Sequence, residues 1–349
     1  MSFTTKFPLS PVVIGFGEIM LRLKSPAYER LFQSPLLETS FGGSEFNVLA
    51  SLARFGIPAE FVTALPDHDI GRACLAEMRA HNVGTDAVRF RAGRMGQYFL
   101  EAGANHRPTN ILYDRQGAAF AGLDKRDMDW KAVLQGKHWL HLSGITPALG
   151  EGLAEMSLEA VQVARDLGLT VSFDVNYRQK LWRDNSLDAP DILSRIVRHV
   201  DVLFASEEDC RLNLGIEGDG NTSDLQGRNY SLSEKMFAAY PNLQVMSTTF
   251  RESLSADHNN LSAGLRDRTG YFVSRSYEMR RIIDRIGGGD AFAAGLIYAL
   301  IRNEGGQRAL DFATAAACLK HSIYGDVNRV SVADVEALLQ GSSGGQVSR

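Results

Sequence analysis

The chain is poor in cysteine. It has three, Cys74, Cys210 and Cys318, far apart and without a CxxC pair. That spacing offers neither a metal site nor a disulfide framework, so a reducing cytoplasm is the expected compartment. Long apolar runs are missing as well. The opening stretch MSFTTKFPLSPVVIGFGEIM has one lysine and a short apolar run broken by Gly15 and Gly17. It reads as a first strand rather than a signal peptide. No uninterrupted apolar segment reaches the ~20 residues that span a bilayer, and no membrane partner is expected. Excess basic charge is also absent: the formal net charge is -4, unlike the basic stripe of a nucleic-acid binder. Two phosphate motifs fail. There is no GxxxxGK[ST], and Gly15-Phe16-Gly17 lacks the third glycine of a dinucleotide fingerprint because Met20 stands in its place.

What is present is an ordinary globular composition, 44% hydrophobic and 22% charged over 349 residues, enough to bury a large core. Strand-like and helix-like segments alternate. Short β-branched runs predict strands at 12–15, 18–24, 60–63, 138–143, 170–174, 202–205 and 243–247, with a hairpin-like pair at 261–266 and 271–274. Apolar residues at helical spacing, such as Phe46, Leu49, Leu52 and Ala53, predict helices at 43–55, 69–81, 151–167, 188–199, 290–301 and 308–321. This rhythm implies an α/β fold with a mostly parallel sheet covered on both faces. Two β-rich stretches without helices, about 18–41 and 87–115, read as a small sheet lying over the carboxyl ends of the main strands, where ligands bind in such folds. One domain over 1–340 with a lid is expected, followed by a Gly/Ser-rich disordered tail over 341–349.

The most informative stretch runs from Ile282 to Gly295. Gly287, Gly288 and Gly289 precede a segment rich in Ala, Leu and Ile that is plainly helical. Glycines leave backbone N–H groups unshielded, and at a helix N-terminus those donors and the macrodipole suit phosphate oxygens. Asp290 falls in the first turn of that helix, next to the same donors. In phosphoryl transfer, a carboxylate that takes the acceptor hydroxyl's proton is one of the few chemical roles left to the protein. The plain alternative is that Asp290 caps its helix and the glycines make a tight turn.

Asp284-Arg285-Ile286-Gly287-Gly288-Gly289-Asp290 resembles the D-T-x-G-A-G-D signature of PfkB (ribokinase-like) carbohydrate kinases. Phe41-Gly42-Gly43-Ser44-Glu45-Phe46-Asn47 resembles that family's G-G-x-x-x-N signature, about 240 residues earlier. The resemblance implies the ribokinase-like three-layer α/β/α fold with a β-sheet lid, ATP and Mg²⁺ as cofactors, a monovalent cation such as K⁺ as a further option, and Asp290 as general base. It implies that the sugar packs on Gly42 and Gly43 and is bound by Asn47. Trp139–Leu149, Phe173–Trp182 and Asn110–Gly117 are similar to segments of 2-keto-3-deoxygluconate kinases. Carried over from those enzymes, Tyr98, Tyr113, Arg115 and Arg178 line a sugar-acid pocket, where guanidinium groups suit a carboxylate.

Departures from the pattern concentrate on the nucleotide side. Gly288 stands where the family usually has Ala, and Arg285-Ile286 replaces Thr-Thr. The N-x-x-E motif appears as Ser206-Glu207-Glu208-Asp209, with Asp209 as the acid that helps place Mg²⁺ through water. A G-x-x-G turn is replaced by the segment from Thr248 to Ala256, in which Thr248 and Arg251 are assigned to the nucleotide together with Ser206 and Gly287–Gly289. The expected activity is phosphorylation of 2-keto-3-deoxygluconate. A kinase for another sugar such as fructose, or a non-catalytic sugar-binding regulator on the same fold, are the alternatives. Exposed lid edges lead to the expectation of a homo-oligomer through the lid.

Overall fold

A computed structural model describes residues 7–219 and 225–341. In chain order the strands are β1 (Val13–Phe16), β2 (Met20–Lys24), β3 (Glu38–Gly42), β4 (Ala59–Pro66), β5 (Val83–Gly84), β6 (Val88–Arg91), β7 (Gln97–Glu101), β8 (Asn110–Asp114), β9 (Trp139–Ser143), β10 (Thr170–Asp174), β11 (Val202–Phe204), β12 (Val245–Ser253), β13 (Asn259–Asp267), β14 (Tyr271–Val273) and β15 (Tyr277–Met279). The main sheet runs β14-β13-β12-β11-β10-β9-β1-β4-β5. It is parallel from β12 to β5 and antiparallel at the β12, β13 and β14 edge.

Strand side chains alternate between two apolar layers, as period-two geometry requires. Val13, Phe61 and Leu65 pack with helices Ser44–Arg54, Gly288–Ile301 and Gly306–Lys320. Ile14, Val62, Leu140 and Leu142 pack on the other side with Glu151–Asp166 and Ala189–Val197. Helices therefore cover both faces, giving the three-layer arrangement that the alternating pattern implied. Among the described residues no helix is long and apolar enough to cross a membrane.

The second sheet, β3-β2-β7-β8, has four strands; β2 pairs β7 in parallel while β3 and β8 are antiparallel neighbours. Two sequence expectations change here. The stretch 87–115 is not all lid: β6 pairs in parallel with β4 of the main sheet. Its pattern hid this, because Arg89 and Phe90 are both exposed and no face alternates. The strand expected over 243–247 continues to Ser253, since no glycine or proline interrupts Thr248–Ser253, and β13 pairs with it residue by residue. The tail beyond Gly341 lies outside the described residues.

Candidate active site

Two helix N-termini meet at the carboxyl ends of the parallel strands. Helix Ser44–Arg54 follows β3 through Gly43, and helix Gly288–Ile301 starts from Gly287. Close approach explains the glycines. A Cβ on Gly42 would lie 2.2 Å from Asp326 Oδ2, and one on Gly43 would lie 2.0 Å from the Glu18 carbonyl. Gly287 has φ 80°, and a Cβ there would lie 1.9 Å from the Asp326 carbonyl oxygen. At Gly289 nothing lies within 4 Å of an added Cβ, so this peptide opens onto free space. That space is a cavity of about 550 Å³, bounded by both glycine turns, the lid and the ends of β10, β11 and β12.

Asp290 does not cap its helix. The cap position is Gly287, which makes no side-chain cap hydrogen bond. Asp290 instead accepts from Ser44 Oγ at 3.0 Å and Asn47 Nδ2 at 2.7 Å, across from its own helix. Burial pushes its carboxyl up to about 6 from 3.8, against the lowering effect of those two hydrogen bonds. A carboxylate so placed is ionised at neutral pH yet basic enough to take a proton.

The lid and the segment after β10 build one end of the cavity. Gly42, Gly43, Tyr98, Tyr113, Arg115 and Arg178 all border the cavity. Arg115 lies 4.8 Å from the Tyr113 ring centroid, and the Tyr98 and Tyr113 rings are 5.9 Å apart. Tyr98 presents its ring, since its hydroxyl donates to buried Asp326. Asn47 borders the cavity too, but its amide is turned to Asp290.

Four carboxylates at the cavity escaped the sequence reading: Asp326, already met behind Gly287, and Glu18, Glu45 and Asp174. Glu18 is buried, neither oxygen has a hydrogen-bond partner, and Oε2 lies 3.4 Å from Arg115 Nη1. Nε and Nη1 of Arg115 are likewise without partners, so the pair faces the cavity with hydrogen-bonding capacity to spare. Glu45 accepts from the Ser143 amide and hydroxyl and from Thr146 Oγ1, fixing the start of its helix against Gly17. Asp174 ends β10 at the cavity. Burial pushes its carboxyl up to about 8, reinforced by the charges of Asp209 and Asp290 and opposed by Arg178.

The opposite end carries hydroxyls, an acid and two arginines. Ser206 and Asp209 form a reciprocal capping box on helix Glu207–Leu214, with Ser206 Oγ 2.6 Å from Asp209 Oδ2. Both also border the cavity. Strand alternation along β12 puts Ser247, Thr249 and Arg251 at the cavity. Thr248 faces away: its Oγ1 donates to the Ala205 carbonyl and accepts from Asn229 Nδ2. Thr248, expected at the nucleotide, therefore does not border the cavity, while its neighbour Thr249 does. Arg251 is joined by Arg285, and among the described residues neither is within ion-pair distance of a carboxylate. Burial and the adjacent Arg285 charge hold the Arg251 guanidinium below its ordinary pKa.

The description "pfkB family carbohydrate kinase" matches residues 12–331. The chain belongs to that family. It is thus an enzyme, a carbohydrate kinase. Among curated pfkB relatives, the 2-dehydro-3-deoxygalactonokinase of Haloferax volcanii is 33% identical over 95% of this chain and 98% of its own length. The crystal structure of a 2-dehydro-3-deoxygluconokinase from Thermotoga maritima is 39% identical, covers 95% of this chain and 100% of that one, and superposes with a TM-score of 0.90. A PfkB family carbohydrate kinase from Listeria grayi is 32% identical over 94% of this chain and 99% of its own, with a TM-score of 0.88. The pfkB fold, with its lid as a separate small sheet, is the one described above.

Proposed function

We propose that this kinase transfers the γ-phosphoryl group of MgATP to the 6-hydroxyl of 2-keto-3-deoxygluconate, with Asp290 as general base. The observation that carries the reading is the Asp290 carboxylate, held by Asn47 and Ser44 at the cavity beside the open Gly289 peptide rather than spent on capping. The acceptor hydroxyl loses its proton to Asp290 as its oxygen bonds to phosphorus and the bond to ADP breaks. The N–H groups of Gly287–Gly289 and the helix N-terminus stabilise charge on the transferring group. Arg178, with no carboxylate within ion-pair distance among the described residues, supports an acidic acceptor, while Arg115 and Glu18 together suit its hydroxyls.

The acidic donors Asp174 and Asp209 fit Mg²⁺, which prefers carboxylate, water and phosphate oxygens. Among the described residues no cluster of three or more ligating side chains encloses a metal. That suits an ion that arrives with the nucleotide. When bound, Mg²⁺ neutralises phosphate charge. Arg251 and Arg285 supply fixed cations for the triphosphate, and the Ser206–Asp209 box holds the Asp209 carboxylate still. The lid ends at β3 and β8, whose outer edges carry no further strand among the described residues, which supports a homo-oligomer joined there.

The test is an ADP-release assay with 2-keto-3-deoxygluconate, its galactonate epimer, gluconate and fructose. The two ketodeoxy acids are expected to dominate, and Arg178→Met to raise their KM by about 10-fold or more with a smaller change in kcat. A higher kcat/KM for fructose would overturn the acid assignment.

A further inference from the structure

One buried cation has no part in the reaction above. Lys320 ends helix Gly306–Lys320 and is fully buried, at 0% exposure. Its Nζ donates to two backbone carbonyls, Ile323 at 3.2 Å and Asp284 at 3.5 Å. Its Cε lies 3.3 Å from the place a Cβ on Gly287 would take, directly behind the glycine turn. Both carbonyls belong to segments that shape this turn. Asp284 leads into it and accepts from the Ile286 and Gly325 amides at 3.1 and 3.2 Å. Ile323 leads to Asp326, whose carbonyl faces Gly287.

The surroundings are charge-balanced. Arg22 pairs with both Asp284 and Asp326, so two cations share a pocket with two carboxylates. Burial pulls the Lys320 pKa below its ordinary value, while Asp284 and Asp326 push it up and Arg22 pulls it down. Desolvating an ammonium is costly unless its charge is answered, and a helix C-terminus at the surface would accept a solvated lysine at little cost. The charge is needed at this spot. Backbone carbonyls backed by carboxylates are the hard oxygen shell that a free monovalent cation takes, and here an ammonium on a tether already fills it.

We propose that Lys320 is a built-in monovalent cation: its ammonium takes the carbonyl-lined position behind Gly287 that a potassium-sized ion would otherwise fill, and holds the glycine turn in register for phosphoryl transfer. Lys320 is a positioning residue, since it touches neither the cavity nor Asp290. The inference rests on the kinase reading of the glycine turn. It answers the option of a monovalent cation such as K⁺ with a residue of the chain itself, since the Lys320 ammonium takes the place of the ion.

The wild-type enzyme is assayed with MgATP and a ketodeoxy sugar acid in choline, sodium, potassium and ammonium salts at equal ionic strength. Its kcat should vary by less than about twofold; activation of about tenfold or more by potassium would overturn the proposal. Lys320→Met, which keeps length and loses charge, should lower kcat in choline on the order of 10²-fold, as misplacing reacting groups by an ångström does, with sugar-acid KM changed only a few-fold. Potassium or ammonium should restore at least about a tenth of the lost rate. An unchanged kcat in choline, or a loss that no cation restores, would show a different role and overturn it. Thermal melting of Lys320→Met in the same salts reads the site without catalysis: potassium should raise Tm over choline for the variant and not for the wild type, and equal shifts for both would count against the proposal. Should the wild type phosphorylate no sugar acid, the kinase reading falls and the melting series alone decides the role of Lys320.

Discussion

Asp290 carries two opposed demands. Its carboxyl is raised to about 6, burial being the main cause, so holding it ionised above that pH opposes folding. The sign is fixed by the folded value lying above the unfolded one. The folded protein binds this proton more tightly, so relative stability is present at low pH and is lost as pH rises through about 6. Asp290→Asn removes the ionisable group and keeps an oxygen for Asn47. At pH 8 it should raise stability by roughly 3 kcal/mol, read as an increase in Tm, and the gain should vanish near pH 4. The same change should lower kcat by about 10³-fold. Wild-type kcat/KM should fall as pH drops through about 6, where the base is protonated. A Tm gain that persists unchanged at pH 4 would mean that packing, rather than charge burial, separates the two proteins.

At the scale of single elements, the start of helix Gly288–Ile301 explains a departure that sequence comparison leaves unexplained. Gly288 replaces the usual alanine. A Cβ there would lie 2.6 Å from Cε1 of His321, whose ring is buried and tied through Nδ1 to the Ala317 carbonyl at 2.7 Å. The bulky imidazole and the missing methyl are one packing solution. Gly288→Ala should therefore cost about 1–3 kcal/mol through overpacking, and His321→Ala in the same chain should recover most of it, a coupling that a double-mutant cycle in denaturant measures. If the two changes simply add, the contact does not govern the turn.

The same helix shows what was legible in advance. Three glycines before an Ala/Leu/Ile run announced the N-terminus and the place of Asp290, because turn chemistry and helix periodicity are local. That Asp290 leaves the cap to Gly287 was not local: it depends on Ser44 and Asn47, more than 240 positions away, being brought within hydrogen-bond distance. Glu18, Glu45 and Asp174 were passed over for a related reason. Glu45 and Asp174 lie inside the resembling segments Phe41–Asn47 and Phe173–Trp182, but the meaning of each acid comes from burial beside Arg115, Ser143 or Asp209. Thr248 faces away from the cavity that Thr249 borders, because one strand position reverses the face in period-two geometry.

Across the whole molecule, the lid is fastened to the glycine turn by a buried polar cluster. Arg22 on β2 and Tyr98 on β7 reach from the lid sheet to Asp326, and Arg22 also reaches Asp284, four residues before the second glycine of the turn. The apolar core of the lid is small, with Met20, Tyr98 and Leu100 buried together, so polar contacts carry much of its attachment. Removing Arg22 strands two buried carboxylates. Arg22→Met should cost about 3–5 kcal/mol, too severe a change to isolate function. Tyr98→Phe is the sharper probe. It keeps the ring at the cavity and removes only the hydroxyl bond to Asp326, worth about 1–3 kcal/mol because the bond is to a buried charge. A lid held less firmly excludes water less well from the transferring phosphoryl. Tyr98→Phe should therefore raise ADP release without sugar acid relative to sugar-acid phosphorylation, by several-fold, while sugar-acid KM moves little. A variant with higher KM and an unchanged hydrolysis ratio would instead make the hydroxyl a substrate contact, and the link between lid and glycine turn would have to run through Arg22 alone.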